Sequence, residues 1–185
     1  MTTWIVLLIA VTIGLYIAVV FNRLVRTRQM VREGWSGIDV QLKRRSDLVP
    51  NLIDSVKGYV AHERDVLITV TELRGAARAL PADAIGQRGQ AEGALSLALG
   101  RLIAVAEGYP DLKASGNFLA LQQQLSALEN EIQMARRYYN GAVRNLNILI
   151  ESFPSNLVAG SFGFARADYF ELNDAAERAA PAVAL

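Results

Sequence analysis

The chain lacks cysteine altogether. That removes disulfides, thiolate metal sites, cysteine nucleophiles and an N-terminal lipid-modified cysteine. It has one histidine, His62, among 185 residues, which restricts metal chemistry. His62-Glu63-Arg64-Asp65-Val66 begins like a zinc-protease helix motif, but the second histidine that motif requires is replaced by Val66. A di-iron bundle site needs two Glu-x-x-His pairs, and one histidine cannot supply them. Phosphate loops, nucleophile elbows and dinucleotide fingerprints are missing too. No catalytic residue, cofactor, metal or small-molecule substrate is therefore expected. The net charge of +1 gives no global basic field, which argues against a nucleic-acid partner. Proline is scarce, with five residues, as long helices require.

Charge is also missing where it matters most. Trp4 to Phe21 holds no charged residue. As a helix these eighteen residues span roughly 27 Å, close to the hydrocarbon thickness of a bilayer. Hydrophobic residues make up 52% of the chain, apolar for a soluble protein, and much of that excess sits in the first 21 residues. A cleaved signal peptide would carry basic residues ahead of a shorter apolar core and small residues at a cleavage site. Here no Lys or Arg precedes the run, and Val19-Val20-Phe21 is a poor cleavage site. A buried core helix is the other rival. Residues 1–22 are read as a single transmembrane anchor, with Trp4, Arg23, Arg26 and Arg28 at the membrane interface. No Lys or Arg lies in residues 1–21, while Arg23, Arg26, Arg28 and Arg32 follow at once. Positive charge held inside predicts the N-terminus outside and the C-terminal domain in the cytoplasm of a bacterial inner membrane. Anionic headgroups would attract the same arginines in either orientation.

Residues 23–153 read as a helical bundle. From Val31 to Leu80 an apolar seam advances by alternating steps of four and three, a 3.5-residue repeat typical of long helices wound together. Arg45 and Glu63 break its apolar rule. Pro50 removes a donor to the Ser46 carbonyl, so a kink near 46–50 is expected rather than an ended helix. Leu80-Pro81-Ala82-Asp83 reads as a turn. Gly86, Gly89 and Gly93 give the next helix a loose start, and its seam runs from Ala91 to Tyr109, where Pro110 stops it. Ser115 or Asn117 can cap the last helix. That helix carries the clearest pattern, Phe118 to Tyr139 in steps of three and four, then Val143 to Phe153 after an extra step of four near Tyr139.

The tail changes character. Glycine spacing and alternating phenylalanines predict an extended segment over 154–172, and the Ala-rich end, 173–185, is expected to be disordered. The fold class is thus all-α: an N-terminal transmembrane helix, then an antiparallel, coiled-coil-like bundle of three to four helices, then an extended aromatic segment. If Pro50 kinks the first stretch strongly, its halves count separately and four helices result. Phe162, Phe164, Tyr169 and Phe170 need burial, against another subunit or a membrane surface.

These stretches resemble the LemA family. The resemblance rests on Gly34-Trp35-Ser36-Gly37-Ile38-Asp39-Val40-Gln41-Leu42-Lys43-Arg44-Arg45, on Asp47-Leu48-Val49-Pro50-Asn51-Leu52, and on Lys57-Gly58-Tyr59 with His62-Glu63. It continues through Tyr109-Pro110-Asp111-Leu112-Lys113-Ala114, Phe118-Leu119-Ala120-Leu121-Gln122, Ala135-Arg136-Arg137-Tyr138-Tyr139-Asn140 and Phe153-Pro154-Ser155-Asn156-Leu157-Val158-Ala159. It covers residues 20–172 in order, apart from the Gly- and Ala-rich stretch 82–94. The resemblance implies a bacterial single-pass membrane protein with an antiparallel helical domain and no agreed enzymatic activity, in a family that includes proteins linked to magnetosome membranes. Two functions follow as expectations. One is a homo-oligomeric, non-enzymatic membrane scaffold, in which Arg45, Glu63, Phe162, Phe164, Tyr169 and Phe170 contact other subunits or partners. The other is a tethered adaptor that recruits a membrane protease or signalling protein. Arg45 and Glu63 are read as lying at the seam's edge and reaching solvent along their stems; the alternative is that Arg45, costly to bury unpaired, meets a carboxylate on another helix. Arg45 and Glu63 lie roughly 27 Å apart on one helix and cannot pair within it. Lys43-Arg44-Arg45 stands on the order of 30 Å beyond Phe21 along a straight helix, out of reach of lipid.

Overall fold

The apolar run and the seam behind it form one element. In the computed structural model, which describes residues 1–59 and 63–171, α1 runs without a break over Thr2–Lys57. Pro50 lies inside it. Lacking an N–H, Pro50 leaves the Ser46 carbonyl without its helical partner. Arg74 Nε donates to that carbonyl at 2.6 Å, a charge-assisted bond that replaces the missing one. The helix stops instead at Lys57, and α2 follows at Arg64–Ala79. The seam from Val31 to Leu80 therefore belongs to two helices.

The remaining helices are α3 (Ile85–Ala106), α4 (Pro110–Lys113), α5 (Gly116–Glu151) and α6 (Ser155–Ser161). No strand occurs among the described residues, so the all-α expectation holds. The expectations for His62 and for 173–185 fall outside the described residues. The stretch expected to start loosely is helical from Ile85, with Gly89 and Gly93 buried.

The chain divides into two units, and α1 and α5 contribute to both. One unit comprises residues 39–134 together with the chain from Phe170 onward. Its core joins Val49, Leu52 and Val56 of α1 to Val70 of α2, then Leu95, Leu99 and Leu102 of α3, Leu112 of α4, and Phe118 and Leu125 of α5. Each side chain buried there contributes about 1.5–3 kcal/mol. Five helices thus share one core, and the long seam is divided between α1 and α2 rather than at Pro50.

The other unit comprises Met1–Ile38 and Ala135–Tyr169. A Cβ on Gly34 would lie 3.0 Å from Tyr139 Cα and 3.1 Å from Tyr138 Cδ1. Glycine is what lets the α1 and α5 backbones come this close. The Trp35 and Tyr139 rings meet beside it at 5.7 Å. The segment expected to be extended from 154 begins instead with α6. That helix closes on Gly163, whose φ is +68°. The Gly163 N–H reaches the Gly160 carbonyl and the Phe164 N–H the Ala159 carbonyl, at 3.4 and 3.0 Å. This is a Schellman cap. The glycine taken as a sign of extended chain is the C′ residue of a short helix. Beyond it the chain is non-helical to Glu171 and is strapped to α5. Buried Asn147 exchanges two bonds with Ala167, Nδ2 donating to its carbonyl and Oδ1 accepting from its N–H, both at 3.0 Å.

Candidate membrane interface and a buried charge cluster

Within the first unit, α1 is almost bare over its apolar run. Only 6% of its most apolar eighteen-residue window is buried, and Trp4 is 76% exposed. One helix among the described residues is long and apolar enough to cross a membrane, and it is this one. The Thr12 hydroxyl donates to the Leu8 carbonyl at 2.8 Å, which suits a polar group to an apolar surrounding. Cover over the helix is complete at Val20 and Leu24. Arg23 and Arg26, on either side of Leu24 in sequence, are exposed. Arg28 is half-buried, and its guanidinium carbon stands 4.8 Å over the Phe164 ring. Arg28 thus has a protein partner as well as its place beside the apolar run.

The aromatic tail does not present four free side chains. Phe164 is 8% exposed and Phe170 is fully buried. Both are packed within their own chain. Phe162 and Tyr169 remain partly exposed. Phe21 lies edge-on to Phe162 at 4.9 Å and to Phe164 at 5.9 Å. Glu63 is the exposed residue ahead of α2, outside any helix.

Arg45 is fully buried in the second unit. Its Nη2 donates to Glu92 Oε2 at 2.6 Å and to the Glu92 carbonyl at 3.1 Å. Its Nη1 donates to Glu129 Oε1 at 2.6 Å and to the Ser96 hydroxyl. Carboxylates on α3 and α5 therefore neutralise one guanidinium on α1. These partners lie in the same chain, on other helices. The Glu92 side chain is 5% exposed and that of Glu129 32%, so Glu129 opens the cluster towards water. An arginine held on both nitrogens of its fork sets register between helices, and the buried Arg45 Nε is the one donor of the group left without a partner. Sequence reading missed both acids. Glu129 looks like part of a solvated face. Glu92 carried a signal: it is the sole charge between Arg88 and Arg101. Among the described residues no group of three or more His, Asp or Glu could hold a metal ion.

The fold shifts the acidity of Tyr139 clearly. Burial and then the nearby Asp168 carboxylate push its pKa up to about 12 from an ordinary 10.0. Its hydroxyl donates to the Asp168 carbonyl at 2.8 Å. Because the folded value is the higher one, this contribution to stability is intact below pH 10 and is lost as pH rises from 10 towards 12. Tyr139→Phe is expected to lower stability at neutral pH yet to lose less of it across that window. Denaturant melts of both proteins at pH 8 and pH 11 check this.

The profile of the LemA family matches residues 34–185, most of the chain. The chain belongs to the LemA family. Among curated LemA-type relatives, Protein LemA of Metamycoplasma hominis is 28% identical over 178 residues, covering 91% of this chain and 78% of its own. Magnetosome protein MamQ 2 of Paramagnetospirillum magneticum is 27% identical over 175 residues, covering 82% of this chain and 64% of its own. Magnetosome protein MamQ of Magnetospirillum gryphiswaldense is 24% identical over 174 residues. This chain spans less than two thirds of the length of the magnetosome relatives. None of these LemA-family names is that of an enzyme. With the apolar first helix, they suggest a membrane-associated protein.

Proposed function

We propose that this LemA-family protein is a membrane-anchored helical scaffold that self-assembles and organises membrane or partner proteins, with no catalysis of its own. The observation that carries the reading is α1. Its first third is uncovered and apolar, and its last third supplies Val49, Leu52 and Val56 to a helical core. Tether and platform share one continuous helix, Thr2–Lys57. Exposed Arg23, Arg26 and Arg32 after the apolar run favour a cytoplasmic platform. Self-association draws support from apolar side chains left uncovered on the second unit, including Val40, Ile68, Leu97 and Leu119. An open groove lined by Ile53, Leu67, Ile68 and Thr71 lies in the same unit.

The test is the mass of the full-length protein purified alone in mild detergent. Particles of several chains are expected. A single-chain mass across a range of protein concentrations would sink the self-assembling scaffold, and would shift weight to an adaptor that grows only when its partner is present.

A further inference from the structure

The exposed apolar side chains beyond α5 have a neighbour that says what covers them. Leu157, Val158, Ser161 and Phe162 line one wall of an apolar groove, and Ile13, Tyr16 and Ile17 of α1 line the other. Phe162 then closes on Phe21. So α6 lies beside the second half of the apolar run, not beyond its end.

Length decides what this means. If the hydrocarbon edge is at Phe21, Ile17 is about 6 Å and Ile13 about 12 Å inside it. Keeping α6 in water would require the span to end before Ile13. Only Trp4–Thr12 would remain, nine residues or roughly 14 Å, against about 30 Å of hydrocarbon. A spanning α1 therefore takes α6 into the bilayer with it.

The chemistry of the segment agrees. From Ser152 to Ala165 there is no charged residue. Phe153, Leu157 and Phe162 are 79%, 61% and 53% exposed, while Ser155, Val158 and Ala159 form the face turned inward. Backbone polarity is largely satisfied within the turn. The N–H groups of Ser152, Asn156, Leu157, Phe162, Gly163 and Phe164 all donate to carbonyls of the same stretch or of the end of α5. The Ser155 and Ser161 hydroxyls donate to the Ser152 and Leu157 carbonyls, both within 2.9 Å. Backbone at membrane depth needs this. At the neck of the segment, Arg166 Nε meets Glu151 Oε1 at 2.9 Å with both side chains more than half exposed, an ion pair placed for water or headgroups.

We infer that residues 152–165 form a second membrane element, an interfacial helical hairpin that dips into the same leaflet that α1 leaves, with lipid acyl chains covering Phe153, Leu157 and Phe162. Asn156, exposed on α6, keeps the hairpin at interfacial depth rather than across the bilayer. The inference rests on the reading of α1 as a spanning helix. Two attachments on one leaflet would fix the rotation of α1 about its axis, which a lone anchor cannot do.

The chain has no cysteine, so single-cysteine variants of the full-length protein carry one environment-sensitive fluorophore each. Leu157→Cys reports on the hairpin, Leu8→Cys on the anchor, and Arg137→Cys, exposed on α5, on water. Each is reconstituted in phosphatidylcholine–phosphatidylglycerol vesicles and quenched with acyl-chain nitroxide lipids or with aqueous iodide. The expected result is that labels at 8 and 157 are quenched by nitroxide lipid and shielded several-fold from iodide relative to 137. Iodide quenching at 157 equal to that at 137, with 8 still in lipid, would overturn the hairpin and leave the anchor standing. Shielding of 157 from both quenchers would overturn it in favour of a protein contact. Iodide access at 8 would overturn the anchor, and the hairpin with it.

Discussion

Arg45→Met is expected to lower the stability of the bundle by about 3–5 kcal/mol, because it leaves a buried carboxylate without its counter-charge. Glu92 is the residue that suffers. Its side chain is 5% exposed, while that of Glu129, at 32%, can turn to solvent. The double variant Arg45→Met, Glu92→Leu should recover most of the loss, since a buried pair replaced by apolar groups of similar volume is often near neutral. Glu92→Leu alone should cost less than Arg45→Met, because Glu129 and Ser96 still hold the guanidinium. Urea denaturation followed by far-UV circular dichroism gives the three values. Equal stability of Arg45→Met and wild type would mean that the cluster is not closed in solution. The same variant asks whether register matters for assembly. If it melts early yet keeps its particle mass, the cluster supports the fold and not the contacts between chains.

Gly89→Val is expected to cost about 1–3 kcal/mol, the range for overpacking a well-filled site. Gly89 is buried in α3, and a Cβ there would run into the main-chain carbonyl of Glu171. The backbone atom cannot swing away as a side-chain tip could, so either α3 or the chain at 170–171 must move. Phe170, fully buried beside it in sequence, would be drawn out with that segment. Limited proteolysis should show a new cut after Phe170 in Gly89→Val and none in Gly86→Val, where an added Cβ meets nothing. Identical cutting patterns would show that the 170–171 segment does not depend on this approach.

Much of the fold was legible because its causes are local. A charge-free run of eighteen residues and apolar steps of three and four are written directly in the sequence, and lipid or a core selects for both at fixed helical spacing. The places where reading failed are instructive. Pro50 looked like the weak point of the first long helix, yet a residue twenty-four positions later, Arg74, accepts the duty of bonding the Ser46 carbonyl. The first helix ends instead at Lys57 and the next begins at Arg64, a break that the apolar steps of three and four did not show. Gly160 and Gly163 looked like extended chain, although spacing alone does not distinguish a glycine between strands from the left-handed residue that closes a short helix. At the candidate site, Arg45 could be singled out as an anomaly on an apolar stripe. Its partners could not be named, since Glu129 resembles any surface acid.

By itself the sequence determined the secondary structure class, the apolar first helix and the residues able to face a core, because each depends on neighbours a few positions apart along one backbone. Only the tertiary structure decided which faces meet: Arg45 with Glu92 and Glu129, Gly34 with Tyr139, Asn147 with Ala167, and α6 with Ile13 and Ile17. Those pairings join positions tens to more than a hundred residues apart. They follow from how whole helices pack, and periodicity within one helix carries no record of the face it will find.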